Sequence, residues 1–299
     1  SAIASCLVGS EMCIRDSARG KGVVRIQVMG GPEAIKMFEQ PNAVRDGVVD
    51  MVHTPGSFYG AAVPEIDAMV ASTKNATEAR ANGGTAMMDA AHQKRFNVKY
   101  LAWIDSGVGF NIFTINEPKF RSSDGVLDMS GVKMRDNPIY TAFLKSLEAT
   151  TSPMPSTEVY GALEKGVIDA APWTTIGITE LKWDKFLNYM VEPSFYSTDL
   201  GIIVNLDRWN GLSAEAKAIL EDVAIEWEQK SHNDRKADIS KYKAAYKEGG
   251  MGFVSHSESG GANYLKLAYD SVWARATKRM TEKGDGDDVA KLRALYAPE

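Results

Sequence analysis

Residues 131–173, GVKMRDNPIYTAFLKSLEATTSPMPSTEVYGALEKGVIDAAPW, decide the fold. They read as strand, helix, strand, helix, strand. Val132, Lys133 and Met134 form a short strand that delivers Arg135 at its end. Asn137 and Pro138 then open a helix, because asparagine caps free N–H groups and proline at the first helical position has no N–H to leave unpaired. Ile139, Phe143, Leu144 and Leu147 recur at helical spacing and supply its buried face. Beyond Pro153-Met154-Pro155, Ser156 and Thr157 offer caps for a second helix over 158–165, stopped by Gly166. Val167-Ile168-Asp169 is the next buried strand, and it ends at Pro172-Trp173. A guanidinium, two helix N-termini and an indole therefore gather at the carboxyl ends of parallel strands, where open α/β sheets bind ligands and a carboxylate is well placed.

Upstream, the same alternation begins at Gly22. Residues 23–28 predict a strand, Gly30-Gly31-Pro32-Glu33 a turn, and Ile35, Phe38 and Val44 a helix ending at Gly47. A strand over 48–52 leads into His53-Thr54-Pro55-Gly56-Ser57-Phe58-Tyr59. Residues 77–95 predict a helix with a weak point at Gly83-Gly84, followed by a strand over 98–103. This spacing implies a largely parallel sheet covered on both faces. Residues 111–115 predict the strand that crosses into a second lobe.

Downstream, 189–191 and 200–205 predict strands, the latter returning to the first lobe. Ser213 caps a helix whose apolar residues Ile219, Leu220, Val223, Trp227, Ile239, Tyr242 and Tyr246 run on to Gly249-Gly250. Unbroken, it spans roughly 50 Å, long enough to join two lobes. A strand over 252–254 and helices over 263–283 and 287–296 complete the pattern. The predicted division is 18–110 with 200–230 as lobe one, 111–199 with 250–299 as lobe two, and 213–248 as the helix spanning both. Residues 1–17 lack any period and are expected to be an artefactual or disordered leader, with the true N-terminus and any export signal missing.

With 299 residues, 44% hydrophobic and 24% charged, the chain is long enough for two ordinary globular domains. A net charge of −5 argues against nucleic acid or an anionic membrane as partner. No apolar run reaches the length of a membrane span. The two cysteines, Cys6 and Cys13, have no neighbouring histidine and give a weak metal signal. The loop 284–288 lacks the glutamate of a calcium loop.

Catalytic signals are poor. The four histidines have no metal spacing, Ser57 stands one place early for a nucleophile elbow, and Gly107-Val108-Gly109-Phe110 lacks the third glycine of a nucleotide loop. His53, at a strand end, is the best candidate base and has no evident partner. Arg135 is the leading ligand candidate, since a bidentate arginine–carboxylate contact fixes both charge and geometry. An ion pair on the lobe surface is the competing reading. Trp173, after Ala-Ala-Pro at a strand end, suits a cleft wall. The turns containing Glu33 and Ser57, Phe58 and Tyr59, and the pair Phe110 and Asn111, are weaker candidates. No catalytic residue, metal ligand or cofactor is assigned.

DMSGVKMR (128–135) and MPSTEVYGALEKGVID (154–169), with VRDGVVDM (44–51) and NLDRWNGL (205–212), resemble the solute-binding proteins of TRAP transporters, the DctP family. The resemblance covers about 23–296. It implies an α/β, two-lobed fold of the periplasmic-binding-protein type II kind, closing on a small organic acid and delivering it to TRAP membrane permease subunits. It implies a periplasmic protein that is not an enzyme. In the family, the arginine ending G-x-K-x-R holds the substrate carboxylate, here Arg135, and the position of Trp173 reaches over the ligand. Some members that bind keto or hydroxy acids have an acidic metal ligand before that tryptophan; here Pro172 stands there. Some carry a second arginine on the crossing strand, where this chain has Asn111. Ser156 and the 54–59 loop match cleft-lining positions. The implied ligand is a keto, hydroxy or aromatic acid. The alternatives are a ligand-sensing module of the same fold and, further off, an α/β enzyme using His53.

Overall fold

The computed structural model describes residues 2–7, 19–20 and 22–297. Two sheets form its scaffold. The first has the order β2-β1-β3-β13-β4, built from β1 (Ala2–Leu7), β2 (Val24–Gly30), β3 (Met51–Pro55), β4 (Val98–Trp103) and β13 (Leu200–Asn205). The second contains β5 (Gly109–Thr114), β8 (Lys133–Asp136), β9 (Thr150–Pro153), β10 (Ala170–Thr174), β11 (Tyr189–Glu192) and β14 (Gly252–Ser255), with β12 (Phe195–Ser197) beside β5. A small hairpin, β6 (Lys119–Phe120) and β7 (Leu127–Asp128), stands apart. The α/β two-lobed architecture is thus the observed one. Both sheets are mixed: β13 runs antiparallel to β3 and β4, and β5 antiparallel to β10, β11 and β12.

Those two reversed strands adjoin the crossings between the sheets, and the crossings run side by side. Thr198 N–H donates to the Val108 carbonyl at 3.0 Å, and Ile104 N–H to the Leu200 carbonyl at 2.8 Å. The indole N–H of buried Trp103 donates to the Thr198 carbonyl at 2.7 Å. Chain reversal at both crossings is therefore held by backbone pairing, which leaves few groups there unsatisfied.

The helix Ala214–Glu248 begins at Ser213, whose side chain accepts from Ala216 N–H at 3.2 Å. Its first half buries Leu220, Val223, Ala224 and Trp227 against the first sheet; its last turns bury Tyr246 in the core of the second. Between Ser231 and Tyr246 no side chain is fully buried. Glu228, itself buried, accepts from Arg80 and from Trp103 N–H, and His232 contacts the Ser106 carbonyl at 2.6 Å, fastening the helix beside the crossing.

Several boundaries differ from expectation. The helix after β8 starts at Thr141, not Asn137, because Asn137 Oδ1 accepts from Ile139 N–H and caps a preceding turn. β10 begins three residues late: Gly166 (φ 64°) and the Val167 N–H to Ala162 carbonyl bond close the helix end, leaving Val167 half exposed. Gly83 (φ 92°) does split the 77–95 helix, into Ala76–Ala81 and Gly84–Phe96.

Two placements need correction. Residues 2–7, set outside the fold by the sequence reading, form the parallel strand between β2 and β3 and satisfy backbone groups on both; 8–17 lie outside the described residues. The helix Asp288–Tyr296, expected on the second lobe, packs on the first, where the Tyr296 carbonyl accepts from Thr73 N–H at 2.9 Å and Ser72 Oγ at 3.0 Å. The helix before it, Glu258–Glu282, touches both lobes. Its Arg275 grips both oxygens of Asp67 on one side and the Pro138 and Ile139 carbonyls on the other.

Candidate functional site

A cavity of about 290 Å³ opens between the two sheets, beside the crossings. Its second-lobe wall comprises Phe110, Arg135, Asn137, Ile139, Ser156 and Trp173. Its first-lobe wall includes Met37, His53, Pro55, Ser57 and Phe58, with Thr198 and Asp199 contributed by the crossing.

Arg135 is 1% exposed, on β8. Its Nε donates to the Met154 carbonyl at 3.2 Å, and Nη1 donates to the Tyr140 hydroxyl and the Pro172 carbonyl. Tyr140 also donates to the Pro172 carbonyl at 3.0 Å. Among the described residues nothing accepts from Nη2, and no carboxylate pairs with Arg135. The guanidinium carbon lies 5.4 Å from the Trp173 ring centre and 5.7 Å from that of Tyr140, so two aromatic faces stabilise the charge. Phe110 meets Tyr140 edge-on at 5.7 Å, and Phe143 and Phe195 pack behind at 4.8 Å. Each such aromatic pair adds about 1 kcal/mol beyond burial. The result is an arginine fixed in direction with donor capacity left over.

Trp173 is half-buried and meets Trp183 edge-on at 4.9 Å. Pro172 brings no carboxylate, and its carbonyl is occupied by Tyr140 and Arg135, so this position does not fit a cation. Among the described residues no three His, Cys, Asp or Glu side chains are grouped to hold a metal. Phe58 meets Phe38 edge-on at 4.6 Å on the opposite wall.

The cavity thus brings together Arg135, Trp173, Ser57, Phe58, Phe110 and Ser156. Three other expected residues do not line it. Asn111, opposite Trp173 in the β10 register, is fully buried; its Nδ2 donates to the Val191 carbonyl at 2.8 Å and its Oδ1 accepts from Thr175 at 2.7 Å. Tyr59 turns inward, stacked on Phe96 at 4.8 Å with its hydroxyl 3.0 Å from His92 Nε2. Glu33 folds back on its own turn and accepts from Gly31 N–H at 2.7 Å; these backbone bonds hold its carboxyl below the usual range.

The sequence reading missed Asp199 and Tyr140. Asp199 is 2% exposed. Its Oδ2 accepts from Ser57 N–H at 2.5 Å and its carbonyl from Gly56 N–H at 2.9 Å. Burial pushes its carboxyl up to about 6, partly offset by the Ser57 bonds. An acid standing just before a strand that is apolar up to its last residue was the available signal. Burial pushes the Tyr140 phenol up to about 12, keeping it a neutral donor. His53 lines the cavity with Nε2 buried and unpartnered, and burial lowers it to about 4, so its ring is neutral near pH 7.

Comparison with known proteins shows the family and the fold. The sequence pattern of DctP, described as bacterial extracellular solute-binding protein, family 7, matches residues 10–278. A solute-binding protein of Albidiferax ferrireducens is 23% identical, covering 93% of this chain and 81% of its own. The monocarboxylate 2-oxoacid-binding periplasmic protein of a Nostoc species is 25% identical over 86% of this chain and 71% of its own. Among solved structures, a TRAP periplasmic solute-binding protein from Desulfovibrio salexigens with bound orotic acid superposes with a TM-score of 0.82 at 17% identity, covering 99% of each chain. The chain belongs to the DctP family of bacterial extracellular solute-binding proteins.

Proposed function

We propose that the protein binds a small organic carboxylate between its lobes, with Arg135 as the clamp, and delivers it to the membrane permease of a TRAP transporter from the periplasm. The observation that carries this reading is a buried guanidinium on a cavity wall with Nη2 unused and no carboxylate partner among the described residues. A buried cation of this kind gains most from an anion brought by a ligand. Trp173 covers the flat or apolar part of that ligand, and Phe58 and Ser57 meet it from the other lobe. Binding favours closure because the two walls contact one ligand together only when the lobes meet. The acids named for the Nostoc relative and the Desulfovibrio structure support the carboxylate class. The ligand is released unchanged, in keeping with the solute-binding role of the family.

A thermal-shift screen of organic acids, followed by calorimetry on hits, tests the proposal. The expected result is saturable binding of at least one carboxylate, released unaltered. Failure of every carboxylate, or chemical conversion of the bound one, overturns it.

A further inference from the structure

The wall facing Arg135 carries polar atoms that the carboxylate reading leaves unused. Asp199 holds the Ser57 N–H with Oδ2, while Oδ1 has no hydrogen-bond partner among the described residues. Ser57 is 8% exposed; its Oγ is buried beside the same carboxylate, which it helps to hold down, and makes no bond of ordinary geometry. Nε2 of His53, on the adjoining strand, is likewise buried and unpartnered. Polar atoms covered by a ligand without being matched are costly, and most costly when one belongs to a carboxylate. Asp199 forms no ion pair with any described residue, and the guanidinium on the far wall is already held by Tyr140, Met154 and Pro172. The cavity therefore presents a donor set at one side and an acceptor-rich set at the other.

We infer that the preferred ligand is an acid that also bears an N–H donor, a protonated amine or a ring amide, with its carboxylate on Arg135 and its N–H on Asp199. This rests on the carboxylate role of Arg135 and narrows the ligand class. Ser57 Oγ and His53 Nε2 then complete the hydrogen bonding of the nitrogen or of a neighbouring carbonyl. A keto or simple aromatic acid satisfies Arg135 and leaves Asp199 Oδ1 covered without a donor.

Matched acids test it. Calorimetry on the full chain compares proline and pyroglutamate with cyclopentanecarboxylate, and phenylalanine with 3-phenylpropionate. At least one nitrogen-bearing acid is expected to bind about tenfold or more tighter than its carbon analogue. A gain with the amino acids indicates a charged amine as the recognised group; a gain with pyroglutamate alone indicates a neutral amide. In Asp199→Asn the ratio should collapse to within about threefold. Equal or tighter binding of the carbon analogues, or a ratio that survives in Asp199→Asn, overturns the inference and leaves the carboxylate reading standing. Binding by neither set, with the wider acid screen also empty, overturns both. Because the wild-type ratio is decisive alone, the test stands even if the variant fails to fold.

Discussion

The two walls of the cavity solve opposite problems. On the second lobe, Arg135 is surrounded before any ligand arrives: three hydrogen bonds, two aromatic faces and a packed aromatic layer hold it. On the first lobe and crossing, Asp199 and Ser57 are buried and His53 is half-buried, with acceptors or hydroxyls left over. The first wall is prepared and loses little entropy on binding; the second is under-satisfied and gains by being covered. Affinity is therefore expected to be dominated by the prepared wall, and choice between similar acids by the unsatisfied one.

The largest test breaks the prepared wall. Arg135→Ala should weaken binding of the best carboxylate by roughly 100-fold or more, and Arg135→Lys should recover only part, because an ammonium cannot reproduce the fork. Wild-type affinity in Arg135→Ala, measured by calorimetry, would remove the basis of the comparison. Asn111→Ala sharpens it from outside the cavity. It strands the Val191 carbonyl and Thr175, so we expect a loss of about 1–3 kcal/mol in denaturant unfolding with affinity unchanged within about threefold. A selective loss of affinity would return Asn111 to the site.

Trp173→Ala should cost about tenfold in affinity, with Trp173→Phe retaining most of it, as titration would read. The smallest effect concerns the unsatisfied wall. In the folded protein the Asp199 carboxyl sits near 6 against an ordinary 3.8, so the folded state holds more protons between those values. Its contribution to stability therefore falls as pH rises from about 4 to about 6 and stays low above that. Asp199→Asn should gain about 1–2 kcal/mol over the parent at pH 7.5 and nothing near pH 4. His53 and His92 shift in the opposite sense in both proteins and cancel in this difference. A gain independent of pH would refute the strained carboxylate.

The prepared wall was legible because its parts are close in sequence. Arg135, Ser156 and Trp173 stand at ends of consecutive elements, so strand and helix punctuation alone gathers them. The unsatisfied wall was not, since it depends on Asp199 reaching Ser57, 142 positions away. Asn111 failed for the same reason: its amide is taken by Val191 and Thr175, 80 and 64 positions away. Tyr59 sits in a turn whose neighbours Ser57 and Phe58 face the cavity, and only the three-residue repeat of that tight turn sends it into the core. Element types followed from periodicity nearly throughout. β1 was passed over because Ala-Ile-Ala-Ser-Cys-Leu is too short for a period and is followed by no recognisable helix.

The helix Ala214–Glu248 has a mechanical consequence. It is a beam of 35 residues, about 52 Å long, seated in a different core near each end and free of fully buried side chains between Ser231 and Tyr246. Such a member keeps its length, so the lobes can tilt about it but cannot drift apart along it. A tilt of about 10° at its middle displaces either end by roughly 4–5 Å, given the half-length of ~26 Å. A ligand bridging Arg135 and the opposite wall works near the fulcrum, where travel is small. The outer rims swing through the larger arc, and there occupancy is expressed as a change in shape.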